Sequence, residues 1–507
     1  MSAKLRITTK YFFITTLVAC TLSCSSTNNR ASYYPTAGWR VSSPEQQGID
    51  SSRLASLVET IIVGDYDVDS LLIIRNGYLV LDAYFSPYTG DRPHDVASVT
   101  KSVTALLAAA ALKQGVFQSL NEPLLPMVNG PDSKATLRNF LDMTSGLDCG
   151  YSPGEPEMWE MIHTADWVKY ARELPARVQA GTEFSYCSPG SHLIAHAIEA
   201  VAKESLVDFS KRHLFEPLGI VDYYWPTDPD GILIGHGDLR LFPKDMAKIG
   251  YLMLQNGYWD GVQLLPKSWV NSVSQPRIQT DDPSTFYSLG WWVHTGDLEG
   301  VYEARGRGGQ SITISPKHNL IVVFTGSGLD KRGELAPLII SSLVSQDALP
   351  TNPEGAAALK RALERASELP KASPIPEPPS VQANVMGEIY ELIPTLQDVM
   401  CFRIDFDTAD KSTIHLTLWM SQGAVEIEVG LDELPRYTDD VRGFSVGSVG
   451  HWENEHIFSL SYDALAGISH FDVAINFAED KLTIKDKTGL FGSATANFQN
   501  VPNCGKG

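Results

Sequence analysis

Ser98 and Lys101, a hydroxyl and an amine three positions apart, are the residues of this chain best placed to do chemistry. On a helix that spacing puts both side chains on one face, one turn apart. A base so close can take the proton from serine and leave an oxygen able to attack a carbonyl. The run that follows, Ser102 to Leu112, is apolar, helix-favouring and suited to burial on nearly every side. Ser98 then stands at the helix N-terminus, where free N–H groups and the positive dipole end favour an oxyanion and disfavour an ammonium on Lys101. The same residues also read as a capped core helix with a lysine reaching for solvent, so partners must decide.

Two later segments supply partners. Residues 181–190, rich in turn formers, present Tyr186 and Ser188 just before a helical run from Ser191 to Val201. Further on, Ala304, Arg305, Gly306, Arg307, Gly308, Gly309 and Gln310 open the strand-like stretch Ser311 to Ser315. With Ser98 and Lys101, these resemble the three signature elements of the serine β-lactamase and penicillin-binding-protein superfamily. The segments 142–147, 242–248 and 251–257 are similar to the branch containing class C β-lactamases, family VIII esterases and 6-aminohexanoate-dimer hydrolases. The resemblance covers residues 40–348, in the family's order.

The resemblance implies a serine hydrolase that forms an acyl-enzyme on Ser98, with either Lys101 or an ionised Tyr186 as base. Ser188 would complete the hydrogen-bond network where many relatives carry asparagine. The oxyanion hole would be the N–H of Ser98 and, by alignment, that of Arg307. Where β-lactamases carry Lys-Thr-Gly, this chain has Ala304-Arg305-Gly306, and the missing lysine turns the expected substrate from penicillins toward small esters and linear amides. Gly306, Gly308 and Gly309 are expected to let substrate approach the backbone. Arg305 and Arg307 either grip a substrate carboxylate as forks or point to solvent. The alternatives are a β-lactamase or D-alanyl-D-alanine peptidase and, from another class, an acyl-binding sensor that never turns over.

The elements that must hold these groups read as an α/β (α+β) serine β-lactamase/transpeptidase-like fold, an antiparallel sheet flanked by helices with a helical lobe beside it. Leu71–Arg75 and Tyr78–Phe85 flank Asn76-Gly77, a strong hairpin signal. Tyr287–His294 reads as one strand, residues 311–325 as a second hairpin and Leu335–Val344 as a closing helix. The catalytic domain is placed at 40–348, a helix and Pro-rich linker at 349–382, and an accessory all-β domain at 383–507, where runs such as Thr413–Trp419 alternate polar with apolar.

Composition bounds the partners. The chain has 507 residues and a formal charge of -20, which argues against nucleic acid or acidic lipid. No metal-ligand spacing or phosphate loop is present, so neither a metal nor another cofactor is expected. Residues 1–19, basic and then apolar, read as a signal peptide, and Leu17-Val18-Ala19-Cys20 matches a lipoprotein cleavage box that would lipidate Cys20. That anchor is the single expected membrane contact of a protein exported to a bacterial envelope or secreted. Cys149, Cys187, Cys401 and Cys504 look too scattered for a disulfide framework, and Cys187 reads as a small buried residue. His163, His236 and His294 read as structural donors, Asp142 and Asp148 as loop or cap residues, and Tyr151, Trp159 and Trp167 as acyl-binding wall or helical core.

Overall fold

The computed structural model describes residues 31, 33–64, 66–149, 155–327, 331–396, 399–406, 410–421, 423–441, 443–478, 482–486, 493–497 and 504. The signal segment, Cys20 and Tyr151 lie outside the described residues. Tyr33–Gly507 form one compact unit.

Its first layer is a sheet of eight strands: β1 (Val68–Arg75), β2 (Tyr78–Tyr84), β3 (Ile278–Gln279), β4 (Thr285–Ser288), β5 (Trp291–His294), β6 (Tyr302–Arg305), β7 (Ser311–Ser315) and β8 (Leu320–Gly326). Their order is β2-β1-β8-β7-β6-β5-β4-β3, and the paired neighbours are antiparallel. Asn76 and Gly77 turn the first hairpin with φ of 53° and 77°, the left-handed pair a tight hairpin demands. β8 is buried at every position because both faces of the sheet are covered. On one face Ile73 and Leu81 pack with Leu54 and Leu57 of α1 (Ser51–Val63), and the fully buried Ile73 and Leu57 each contribute ~1.5–3 kcal/mol.

In the helical lobe, α2 (Val99–Lys113) is buried from Val99 through Ala111, as its uninterrupted apolar run requires. It runs beside α3 (Ser188–Ala202), which begins three residues earlier than the sequence implies, with Ser188 as its first residue. On the other face of the sheet, α4 (Pro243–Leu254) presses Gly250 onto it. A Cβ at Gly250 would stand 2.8 Å from Ile321 Cγ2 and 2.9 Å from Ile312 Cγ2, so the glycine sets that close approach.

Two expectations need correction here. Tyr287–His294 is not one strand but the hairpin of β4 and β5, because Leu289 and Gly290 take φ of 46° and 87°. The four cysteines are not unpaired: Cys149 joins Cys187, with Cα atoms 5.3 Å apart, and Cys401 joins Cys504. Separations of 38 and 103 residues hid pairs that only the folded chain brings together.

Helix α5 (Pro353–Ala366) lays Leu359, Ala362 and Ala366 into the same apolar cluster as α1. Beyond an exposed Pro-rich stretch come ten strands: β9 (Ile389–Leu396), β10 (Val399–Phe406), β11 (Thr413–Met420), β12 (Gly423–Gly430), β13 (Arg436–Val441), β14 (Phe444–Trp452), β15 (Ile457–Leu465), β16 (His470–Asn476), β17 (Leu482–Asp486) and β18 (Ser493–Asn497). They follow the order β12-β11-β10-β9-β18-β17-β16-β15-β14-β13, and a parallel bridge from Gly430 to Val449 joins β12 to β14, closing the sheet as a barrel. The turn after β15 meets the catalytic domain: the Asp95 N–H donates to the Ala466 carbonyl at 2.9 Å. Arg240 fixes a second point, donating to the Gly443 carbonyl at 2.7 Å and covering the Phe444 ring at 3.7 Å.

Candidate active site

The turn that delivers Ser98 is held by its neighbours. The Asp95 carboxylate accepts from the Ala97 N–H at 2.7 Å, and Ala97 takes φ of 46°, a left-handed value that costs a non-glycine residue free energy. Ser98 follows as the N-cap of α2, its side chain free of capping bonds. One turn on, the Lys101 ammonium donates to Ser98 Oγ at 2.8 Å and to the His236 carbonyl at 3.0 Å. Lys101 is 4% exposed, and its desolvation lowers its pKa; the Glu155 and Asp238 charges oppose that shift and Arg307 assists it. The shift favours the neutral amine, the form able to accept the serine proton.

Tyr186 reaches the same oxygen from the loop before α3. Its hydroxyl hydrogen-bonds with Ser98, its ring lies 4.7 Å from Lys101 Nζ, and it stacks on Trp292 at 5.9 Å between centroids. Burial and the Glu155 charge raise the Tyr186 pKa against the effect of the Ser98 bond, so the phenol stays protonated. Ser98 and Lys101 thus meet as their spacing implies, and Tyr186 joins them as the resemblance implies.

Ser188 does not join them. Its hydroxyl donates to Glu155, because as the first residue of α3 it faces the loop that enters the short helix Pro156–Ile162. The disulfide from Cys149 to Cys187 pins that region between Tyr186 and Ser188, and Cys187 Sγ also accepts from the Gly190 N–H at 3.3 Å. Glu155, whose charge acts on both Lys101 and Tyr186, was not legible: it carries no motif and arrives through a turn with φ of 51°.

The strand rim closes the other side. A Cβ at Gly306 would stand 2.4 Å from the Val96 carbonyl, so this glycine lets β6 lie against the nucleophile turn. At Gly308, with φ of 79°, a Cβ would meet Gln310 Nε2 at 2.9 Å and the Gly326 carbonyl at 3.0 Å. Gly306 and Gly308 therefore answer to their own neighbours rather than to an open path for substrate; Gly309 takes φ of 89°. Among the described residues neither the Ser98 nor the Arg307 N–H meets a backbone acceptor. The two arginines part company. Arg305 Nε donates to Glu303 at 2.5 Å and its guanidinium lies 5.4 Å from the Trp292 ring centre, which removes it as a free fork. Arg307 is exposed and makes no ion pair among the described residues.

The remaining candidates are structural. Glu303 also binds His294 at 2.8 Å, His163 binds the Trp159 carbonyl at 2.6 Å, and His236 offers Lys101 its carbonyl rather than its ring. Asp142 accepts from the Leu289 N–H at 2.8 Å and from Arg277 at 3.1 Å, holding the β4–β5 turn. Trp167 packs on His192 and His236, whereas Trp159 is 41% exposed. Among the described residues no group of three or more His, Cys, Asp or Glu is arranged to hold a metal ion.

Comparison with known proteins places the chain in a family. Residues 62–341 match the family described as Beta-lactamase. The 6-aminohexanoate-dimer hydrolase of Paenarthrobacter ureafaciens is 24% identical over 287 residues, covering 52% of this chain and 73% of that protein. The lovastatin esterase of Penicillium rubens is 26% identical over 191 residues, covering 32% of this chain and 46% of that protein. A solved Bacillus anthracis structure assigned to the 6-aminohexanoate-dimer hydrolases superposes with a TM-score of 0.50 at 21% identity, over 66% of this chain and 89% of the other.

Proposed function

This chain belongs to the β-lactamase family and is a serine hydrolase of it, and on that premise we propose that it cleaves an ester or linear amide through an acyl-enzyme on Ser98. The observation that carries the reading is the Lys101 amine, desolvated and 2.8 Å from Ser98 Oγ. Neutral Lys101 takes the serine proton as Oγ bonds to the carbonyl carbon. The oxyanion forms against the N–H groups of Ser98 and Arg307, and the proton passes through the hydroxyl of Tyr186 to the leaving alcohol or amine. Water then repeats the attack and frees the acid. The protonated phenol favours Lys101 over Tyr186 as the resting base.

Ala304 in place of the strand lysine, and relatives that include an amide-dimer hydrolase and an esterase, support linear substrates. One observation favours a second reading, a β-lactamase or D-alanyl-D-alanine peptidase: the Arg307 guanidinium, exposed and without an ion pair among the described residues, can bind a carboxylate. Comparing kcat/KM for p-nitrophenyl butyrate and nitrocefin on one preparation separates them. A preference for the butyrate ester is expected; a nitrocefin preference lost in Arg307→Ala selects the second reading. For location we propose export, with Cys20 lipidated at the envelope. The signal-like residues 1–19 support this, as do two disulfides of the kind that persist in oxidising compartments.

A further inference from the structure

The interior of the C-terminal barrel is not filled. A cavity of about 350 Å³ runs inside it, walled by Phe402, Leu416, Ile427, Leu460, Phe471 and Val473 among others. An eight-stranded barrel just fills its bore with side chains. A longer sheet closed by one parallel bridge leaves room. Packed interiors hold few voids larger than a water, and a void walled by hydrocarbon stays dry because water finds no partners there. The volume falls inside the ~300–1,000 Å³ range of small-molecule sites. One wall hydroxyl, that of Ser448, is buried without a hydrogen-bond partner among the described residues.

Two catalytic-domain residues share this wall, Trp159 and Arg307. Arg307 follows Gly306, which lies against the nucleophile turn. Beside it, the site of a Gly308 Cβ is 3.4 Å from Ile468 of the barrel, and Ala466 binds the Asp95 N–H, three residues before Ser98. Arg307 therefore stands both in the wall of the cavity and next to the glycine that lies against the nucleophile turn. No acidic side chain lines the cavity among the described residues. Its occupant must be mostly hydrocarbon, joined to a group that Ser98 can attack.

We propose that the barrel cavity is the acyl-chain pocket of this enzyme and that its substrate is an unbranched fatty-acyl ester, with the carbonyl at Ser98 and the chain passing Trp159 and Arg307 into the barrel. The assignment rests on the acyl-enzyme reading above. Ser98 Oγ bonds to the fatty-acyl carbon, the bond to the alcohol oxygen breaks, the serine proton leaves with the alcohol, and water releases the fatty acid.

The test is kcat/KM of the full chain for p-nitrophenyl acetate, p-nitrophenyl octanoate and octyl acetate, with dodecanoate binding to Ser98→Ala followed by calorimetry. Ser448→Phe fills the cavity without breaking a hydrogen bond, and Ala464→Leu makes the same comparison should the first variant fail to fold. The expected octanoate-to-acetate ratio for the p-nitrophenyl esters is on the order of 10–100, since each methylene in an apolar pocket adds selectivity. Both that ratio and dodecanoate binding should collapse in the filled variant. A flat ratio with acetate still turned over, a ratio that filling leaves unchanged, or length dependence on octyl acetate instead overturns the pocket. If no ester is turned over although dodecanoate binds, it is the acyl-enzyme reading that fails.

Discussion

At the scale of single residues, the account turns on which group is neutral. Burial lowers the Lys101 pKa from 10.5 and raises that of Tyr186. Acylation needs the amine unprotonated, so kcat/KM should rise with pH along a limb whose midpoint lies below 10.5. Lys101→Ala should abolish that limb and lower turnover by about 10²–10⁴-fold while circular dichroism stays native, because α2 accepts alanine readily. Tyr186→Phe should reduce turnover yet leave the limb in place; a limb that vanished in this variant would make Tyr186 the base. Ser98 and Lys101 were legible because their chemistry is written in local spacing, and Tyr186 because the order of its segment after theirs resembles the superfamily's signature. Ser188 was misjudged because its partner, Glu155, comes from a loop 33 residues away that no local pattern ties to it.

At the scale of elements, the site depends on how α2 is clamped against the sheet. The Gly290 carbonyl accepts from Ser102 Oγ at 2.6 Å, and a Cβ at Gly290 would stand 2.5 Å from Ala105 Cβ. Gly290→Ala combines that clash with a positive φ and should cost about 1–3 kcal/mol, read as a lower Tm together with lower turnover. The hairpin at Asn76-Gly77 was readable because both residues tolerate positive φ on their own. The turn at Leu289-Gly290 was not, because leucine is held there by Asp142, 147 positions away. Glu303, on the interior strand β6, ties its neighbours together through His294 of β5 and Thr313 of β7. Burial alone would raise its pKa, but Arg332, His294 and Arg305 outweigh that and hold it well below 4.5. Its folded value being depressed, its contribution is present above 4.5 and fades as pH falls through the folded value. Glu303→Gln removes the buried carboxylate that Arg332, Arg305 and His294 share, so denaturant unfolding at pH 7 should show a loss of about 1–3 kcal/mol that shrinks in acid. Equal stability of variant and parent at pH 7 would contradict this.

At the scale of the whole molecule, a catalytic domain and a barrel meet where the Asp95 N–H donates to the Ala466 carbonyl and Arg240 donates to the Gly443 carbonyl. Alternation and the Pro-rich boundary made a C-terminal all-β domain legible, but not its closure into a barrel. Its empty bore was not legible either, because closure and cavity depend on pairing between strands far apart in sequence, such as Gly430 with Val449. If Cys20 is lipidated, the expressed protein should partition into detergent and Cys20→Ser should release it or block its processing; equal solubility of the two forms would contradict the anchor. The central claim is covalent, and intact-mass analysis of a rapidly quenched reaction with a p-nitrophenyl ester tests it most directly. The account expects one acyl group, mapped to the peptide bearing Ser98 and absent from Ser98→Ala. Turnover that persists in Ser98→Ala, or an adduct on another residue, would contradict it.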